Sequence, residues 1–157
     1  MKTQKERQAV TSANAYAVWP YAKLGDVIYS GSTLAGALTA YTDAGSVAAA
    51  ILTQKGNVYV GVNIDTACSM GFCAEHAAAA AMVTAGEQDI AAVIAVDDKG
   101  DITPPCGRCR QFLAQLGDEN DQAQVMVEKG RIMTLAQLLP YDWRVVRPRT
   151  GRAGKER

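Results

Sequence analysis

Val47-Ala48-Ala49-Ala50-Ile51-Leu52 is followed by Gln54-Lys55-Gly56 and then by Asn57-Val58-Tyr59-Val60-Gly61-Val62-Asn63-Ile64. An apolar run, a turn signal and a β-rich run read as a hairpin. Asp65 to Phe72 reads as a loop. Cys73 to about Gly86 is dense in alanine, which predicts a helix with Gly86 as its stop. Its small side chains allow close packing on a sheet. Ile90 to Val96 is a nearly continuous apolar run, as in a central strand. Asp97 to Asp101 is a polar turn. Cys106 opens a second helix, ending near Gly117. Gln124 to Glu128 is a further strand, Lys129-Gly130 turns the chain, and Arg131 to Met133 adds a short strand. Thr134 to Leu139 reads as a short helix, with Thr134 and Gln137 at capping-box spacing and Pro140 after it. This order predicts an α/β fold, a mixed sheet with helices packed on its faces.

Upstream of Gly45 the pattern is mixed. Gln4 to Trp19 is rich in alanine and reads as a helix ending before Pro20, and Leu34 to Tyr41 reads as a short helix. At 157 residues the chain is long enough for one domain with a full core. That domain is placed over residues 1–143, with 1–45 as an atypical extension. Residues 144–157 are basic (Arg144, Arg147, Arg149, Arg152, Lys155 and Arg157 against Glu156) and read as a mobile, solvated tail. A phosphate-binding arm is the alternative for that tail. Basic and acidic residues number 16 each, a balance that argues against nucleic acid as a partner. Met1 to Arg7 lacks the apolar run of a signal peptide, and no stretch is apolar enough to span a bilayer. A cytoplasmic protein without a membrane partner is expected. Four cysteines in such a chain point to metal binding or catalysis rather than disulfides.

Three of these cysteines lie in Cys73-Ala74-Glu75-His76 and Pro105-Cys106-Gly107-Arg108-Cys109. Three thiolates hold one zinc ion and leave a tetrahedral position open to water. A carboxylate beside that water can move protons, and Glu75 is placed for it. Ligand-x-Glu followed by Pro-Cys-x-x-Cys resembles the signature of zinc nucleobase deaminases. Cys73 and Cys106 fall at expected helix starts, where unpaired N–H groups lower a thiol's pKa. Cys109 lies one turn after Cys106, and Gly107 permits a tight approach. Arg108 and Arg110 flank the site and can offset the thiolate charge. Two alternatives remain. Cys68 can complete a closed four-thiolate structural site, which leaves Glu75 without a role. The cysteines can also be four unrelated buried side chains. His76 is either a partly buried, hydrogen-bonded side chain, a donor to a ligand thiolate, or a ligand itself.

From about Val47 to Trp143 the chain resembles the cytidine deaminase family, in its three-cysteine, usually tetrameric branch. The first hairpin through Asp65, the Cys73-Ala74-Glu75 motif, Pro105 to Gln111, and Leu138-Leu139-Pro140 carry the resemblance. It implies a cytidine deaminase-like three-layer sandwich, with a mixed five-stranded sheet and helices on both faces. It implies one Zn2+ per subunit on Cys73, Cys106 and Cys109, with Glu75 carrying protons from water to ring N3 and to the departing ammonia. The Ala74 N–H would donate to the ring carbonyl, and the Pro105 carbonyl would face the leaving amine. Asn63 matches the family's ribose-binding asparagine. Asp65 stands two residues later, where the family usually has glutamate. A homotetramer acting in pyrimidine salvage is also implied.

The chain departs from the family in three further places. His76 replaces a common arginine. Ala44-Gly45-Ser46 replaces an aromatic that packs on the base. The N-terminal segment is longer, with Tyr16, Trp19 and Tyr21 available for a pocket wall. These departures, with Pro-Cys-Gly-Arg-Cys-Arg-Gln, also resemble blasticidin S deaminase. The substrate is therefore expected to be cytidine, deoxycytidine or a modified analogue, with a blasticidin-like aminonucleoside or a substituted cytosine as the alternative. Nucleic-acid editing and a non-catalytic, zinc-stapled binding domain are the competing classes. Tyr141 and Trp143 either reach a neighbouring subunit's pocket or serve ordinary packing.

Overall fold

A computed structural model describes residues 36–146. The helix expected over Gln4 to Trp19, the aromatics Tyr16, Trp19 and Tyr21, and the tail beyond residue 146 lie outside the described residues. Six strands form one sheet: β1 (Gly36–Thr39), β2 (Thr42–Thr53), β3 (Val58–Thr66), β4 (Ile90–Asp97), β5 (Gln124–Glu128) and β6 (Arg131–Thr134). The helices are α1 (Ala74–Thr84), α2 (Gly107–Ala114), α3 (Leu135–Leu138) and α4 (Trp143–Val146), with a 3-10 turn at Asn120–Gln122. β2 is the hub. It pairs antiparallel with β3, with β4 and with β1, while β4 and β5 run parallel across the α2 crossover. The mixed α/β fold is the one expected.

Two details differ from expectation. The sheet has six strands rather than five. The sixth, β1, lies within the span read as a helix from Leu34 to Tyr41; the glycines and threonines there pair against Thr42–Ala44 instead. Residues 36–45, read as part of an extension, thus belong to the sheet. Among the described residues, the helices gather on one face. That face packs Ile51, Val93 and Val125 of the sheet against Ala78, Ala79 and Met82 of α1 and Leu113 and Ala114 of α2. The other face carries Ala48, Ala50, Leu52, Ala92, Ile94 and Val96, covered there by strand and loop residues such as Val62 and Ile102. Odd and even residues of β2 and β4 part company between these clusters, as the strand period requires.

Arg144, read as the start of the tail, is instead tied into the fold. Its guanidinium donates to Asp121 at 2.6 Å, to Asp142 at 2.7 Å and to the carbonyl of Ala114 at the end of α2. Asp142 also accepts from Gln111 of α2, and the Arg144 partnership holds its carboxyl below the usual range. The fully buried Asn120 ties the other side of α2. Its amide nitrogen donates to the carbonyls of Leu113 and Gln88, and its oxygen accepts from Ile90 N–H at 2.8 Å. Every polar atom of that side chain is thus paired, as burial demands.

The helix α1 lies close enough to the sheet that Gly61 of β3 has no room for a side chain. A Cβ there would meet Ala77 and the backbone of Ala78. Gly61→Ala is therefore expected to lower stability by about 3 kcal/mol through overpacking. Urea unfolding of the two proteins measures it, and an unchanged midpoint would contradict this packing.

Candidate metal centre and cavity

Cys73 and Cys106 each occupy the N-cap of their helix, in extended backbone conformation. Cys73 is placed by the end of β3, where Ile64 and the adjacent Phe72 exchange backbone hydrogen bonds of 3.0 and 2.9 Å. Cys106 is placed by the loop after β4, where Thr103 N–H donates to Ala95 at 3.0 Å. Cys109 follows one turn into α2 and is fully buried.

The three sulfurs converge. Cys73 Sγ lies 3.7 Å from Cys106 Sγ, and Cys106 Sγ lies 3.4 Å from Cys109 Sγ. Sulfurs at about 2.3 Å from a tetrahedral zinc are about 3.8 Å apart, so the cluster fits the ion. His76 Nδ1 joins the group: with Cys73 Sγ and Cys109 Sγ it forms a set within 4.8 Å. The histidine and Cys106 therefore compete for the third ligand position. Cys106 carries the stronger geometric claim, because its sulfur sits a tetrahedral edge from both other sulfurs and on the wall of the adjoining cavity. His76 Nδ1 lies 3.4 Å from Cys109 Sγ, a distance suited to N–H donation to sulfur. Its ring stacks on Phe112 with centroids 4.3 Å apart and planes 10° from parallel. Burial, then the Arg108 charge, lowers its pKa and favours the neutral ring.

The thiols do not share the lowered pKa expected at helix starts. Burial pushes Cys73 up. It pushes Cys109 up strongly, aided by the Glu75 charge. Only Cys106 is lowered on balance: burial acts against it, and donors, led by the Cys109 N–H at 3.5 Å, more than offset that. Sulfurs crowded beside a buried carboxylate resist ionising on their own. A dication at their focus reverses that preference, which is the donor chemistry a zinc site requires.

A cavity of about 330 Å³ opens beside the cluster, within the range of small-molecule sites. Cys73, Ala74, Glu75, Cys106, Arg108, Asn63 and Asp65 all reach its wall. Glu75 is only 4% exposed. Two expected residues stand elsewhere. Pro105 is buried behind the wall, and its carbonyl accepts from Arg110 Nε at 2.8 Å; of the proline pair, Pro104 lines the cavity. Arg110 also donates from a terminal guanidinium nitrogen to the Leu138 carbonyl at 3.4 Å, so it braces the loop. Cys68 is exposed and its thiol donates to Thr66 Oγ1 at 3.4 Å, outside the sulfur cluster. The cavity also uses Ser46, Phe72 and Thr103, which the sequence reading did not assign to a site. The signal for Ser46 was that Ala44-Gly45-Ser46 stands where the resembled family has an aromatic that packs on the base.

Residues 30–124 match the family model described as "Cytidine and deoxycytidylate deaminase zinc-binding region". The chain is 37% identical over 98 residues to a protein of Halalkalibacterium halodurans named cytidine deaminase, covering 60% of this chain and 74% of that one. The crystal structure of cytidine deaminase from Mycobacterium tuberculosis matches with TM-score 0.58 at 26% identity, over 90% of this chain and 98% of that one. That from Mycobacterium leprae matches with TM-score 0.58 at 27% identity, over 88% and 99%. Purified protein is expected to carry one zinc per chain by atomic emission. Cys68→Ala should keep it and Cys109→Ala should lose it; loss on Cys68→Ala would restore the four-thiolate structural site.

Proposed function

The chain belongs to the family of cytidine and deoxycytidylate deaminases defined by this zinc-binding region, and from that premise we propose how its residues divide the work. The activity is zinc-dependent hydrolytic deamination of a cytosine-type nucleoside to the uracil-type product and ammonia. Cys73, Cys106 and Cys109 hold the metal. Bound there, zinc supplies Lewis acidity that brings the pKa of a coordinated water near neutrality. The observation that carries the reading is Glu75: a buried carboxylate on the wall of a small-molecule cavity, two residues from one ligand sulfur.

Glu75 takes a proton from the attacking water and gives it to ring N3. The oxygen bonds to the carbon that bears the amino group. Glu75 then carries the second proton to that nitrogen, the C–N bond breaks, and ammonia leaves. Burial keeps the carboxylate close to its water and away from bulk solvent. The Ala74 N–H belongs to the first turn of α1, where donors have no intrahelical acceptor, and it is free to bind the ring carbonyl. His76 donates to the Cys109 sulfur and so steadies the ligand charge in place of an arginine. Arg108, at the cavity rim, offsets the remaining negative charge. The leaving amine meets the wall formed by Thr103 and Pro104.

The substrate is a free nucleoside, cytidine, deoxycytidine or a base-modified analogue. The cavity's size supports this. A homotetramer working in cytoplasmic pyrimidine salvage belongs to the same proposal. Its support is a set of exposed apolar side chains: Leu38, Tyr41, Tyr141, Trp143 and Val145. Among the described residues no helix is long and apolar enough to cross a membrane.

Zinc-loaded Glu75→Gln should keep its metal and lose at least about a hundredfold in kcat on cytidine, followed by the absorbance change of deamination. Full activity in that variant would refute the proton-carrier role, and turnover confined to single-stranded DNA would refute the free-nucleoside substrate. Light scattering should give four chains per particle; a fully active monomer would remove the tetramer.

A further inference from the structure

The junction of α1 and α2 repeats one arrangement on both sides. His76 lies one helical turn after Cys73 on α1, and Phe112 lies one turn after Cys109 on α2. Residues three apart share a helix face, which puts rings and sulfurs on the sides where the helices face each other. The two rings meet there, with centroids 4.3 Å apart and planes 10° from parallel. From that stack His76 Nδ1 reaches across to Cys109 Sγ on the other helix, at 3.4 Å. Both rings are half-buried. Phe112 does not line the cavity; it packs on the core cluster that contains Met82 and Leu113.

A metal-bound thiolate carries no hydrogen, so in this contact the sulfur accepts and the imidazole donates. The hydrogen on Nδ1 lies in the ring plane. Its aim is therefore set by rotation of the ring about the Cβ–Cγ bond, a torsion with a broad, soft profile. Among the described residues the Cys109 sulfur is the imidazole's one hydrogen-bond partner. A single bond to sulfur leaves the ring free to rock about it. The stack removes that freedom, since a near-parallel contact is lost when either plane turns. Phe112 is the stiffer partner, because its other contacts are core side chains.

We propose that Phe112 is a positioning residue of the metal centre: its ring sets the plane of the His76 imidazole and thereby aims Nδ1–H at the Cys109 sulfur. This rests on the three-thiolate reading above. Cys109 is the fully buried sulfur of the three. Its charge is shielded from water and depends on donors that the protein supplies. A hydrogen bond to the sulfur draws off part of its electron density and so stabilises the thiolate in place. Phe112 offers no ligand atom and acts through His76 alone.

The test follows zinc transfer from the loaded full chain to excess pyridylazoresorcinol, a chromogenic chelator, in a double-mutant cycle. His76→Ala should release zinc about tenfold faster than wild type. Phe112→Leu, which keeps apolar volume and removes the ring, should release it about fivefold faster. Phe112→Tyr, which keeps the ring, should stay near the wild-type rate. The double variant carrying His76→Ala and Phe112→Leu should release zinc no faster than His76→Ala alone. With Co2+ in place of zinc, Phe112→Leu and His76→Ala should both move the thiolate-to-metal charge-transfer band to longer wavelength, because a sulfur that loses a donor gives up electrons more readily. A Leu variant with the wild-type rate and band, a Leu factor that multiplies fully onto His76→Ala, or a Tyr variant that behaves like Leu would overturn the role of Phe112 and leave the three-thiolate site intact. A wild type that retains no zinc would overturn both.

Discussion

Two helix starts aim at one point, and the surrounding structure holds them there. The N-caps of α1 and α2 are both cysteines, and a third sulfur one turn into α2 completes a cluster with spacings of 3.4 and 3.7 Å. Such a cluster is electrostatically unfavourable by itself, since burial raises two of the three thiols. It makes physical sense as a cation site, where the ion's charge repays the convergence. Metal binding and correct placement of α1 against α2 are therefore coupled.

Each helix is held by different means. Alanines at 78 and 79 let α1 sit almost against β2 and β3, and Gly61 removes the last obstacle. That packing is apolar and tolerates no added volume. Polar ties hold α2 instead. Arg110 joins the Pro105 and Leu138 carbonyls, Arg144 reaches the carbonyl of Ala114, and Asn120 reaches that of Leu113. A short helix depends on such ties because its unpaired end groups are a large share of its backbone. Glu75 inherits its position from the first arrangement and Cys109 from the second. The placement of the Glu75 carboxylate relative to the sulfur cluster is thus set by how the two helices pack on one sheet.

The cavity wall that carries Ser46 and Asn63 obeys a separate constraint. A strand that must pair on both edges has little freedom to offer polar groups to a cavity, and the bulge at Gly45 to Val47 supplies it locally. Asn63 then takes over a hydrogen bond that the regular ladder does not make. The polar face of the cavity is in this sense a by-product of repairing the sheet. It explains why Ser46 and Asp65, far apart in sequence, share one amide.

Local pattern determined much of this protein. Apolar and β-rich runs with turn residues placed the second half of β2 and β3 to β6, alanine density placed α1, and the Thr134–Gln137 box that opens α3 is present as read. Cysteine spacing marked the metal centre and the glutamate beside it. These features are legible because each depends on neighbours within a turn or a strand. What needed the tertiary structure depends on residues brought from afar. Leu34 to Tyr41 carries no strand signal, and the strand at Gly36–Thr39 exists because the edge of β2 is there to pair with. Arg110 reaches two carbonyls because the fold brings them near. Arg144 left the tail because Asp121 and Asp142 converge on it. Pro105 fell behind the wall that Pro104 occupies. A sequence states which groups can donate, accept or ligate; only the folded chain decides which partner each one meets first.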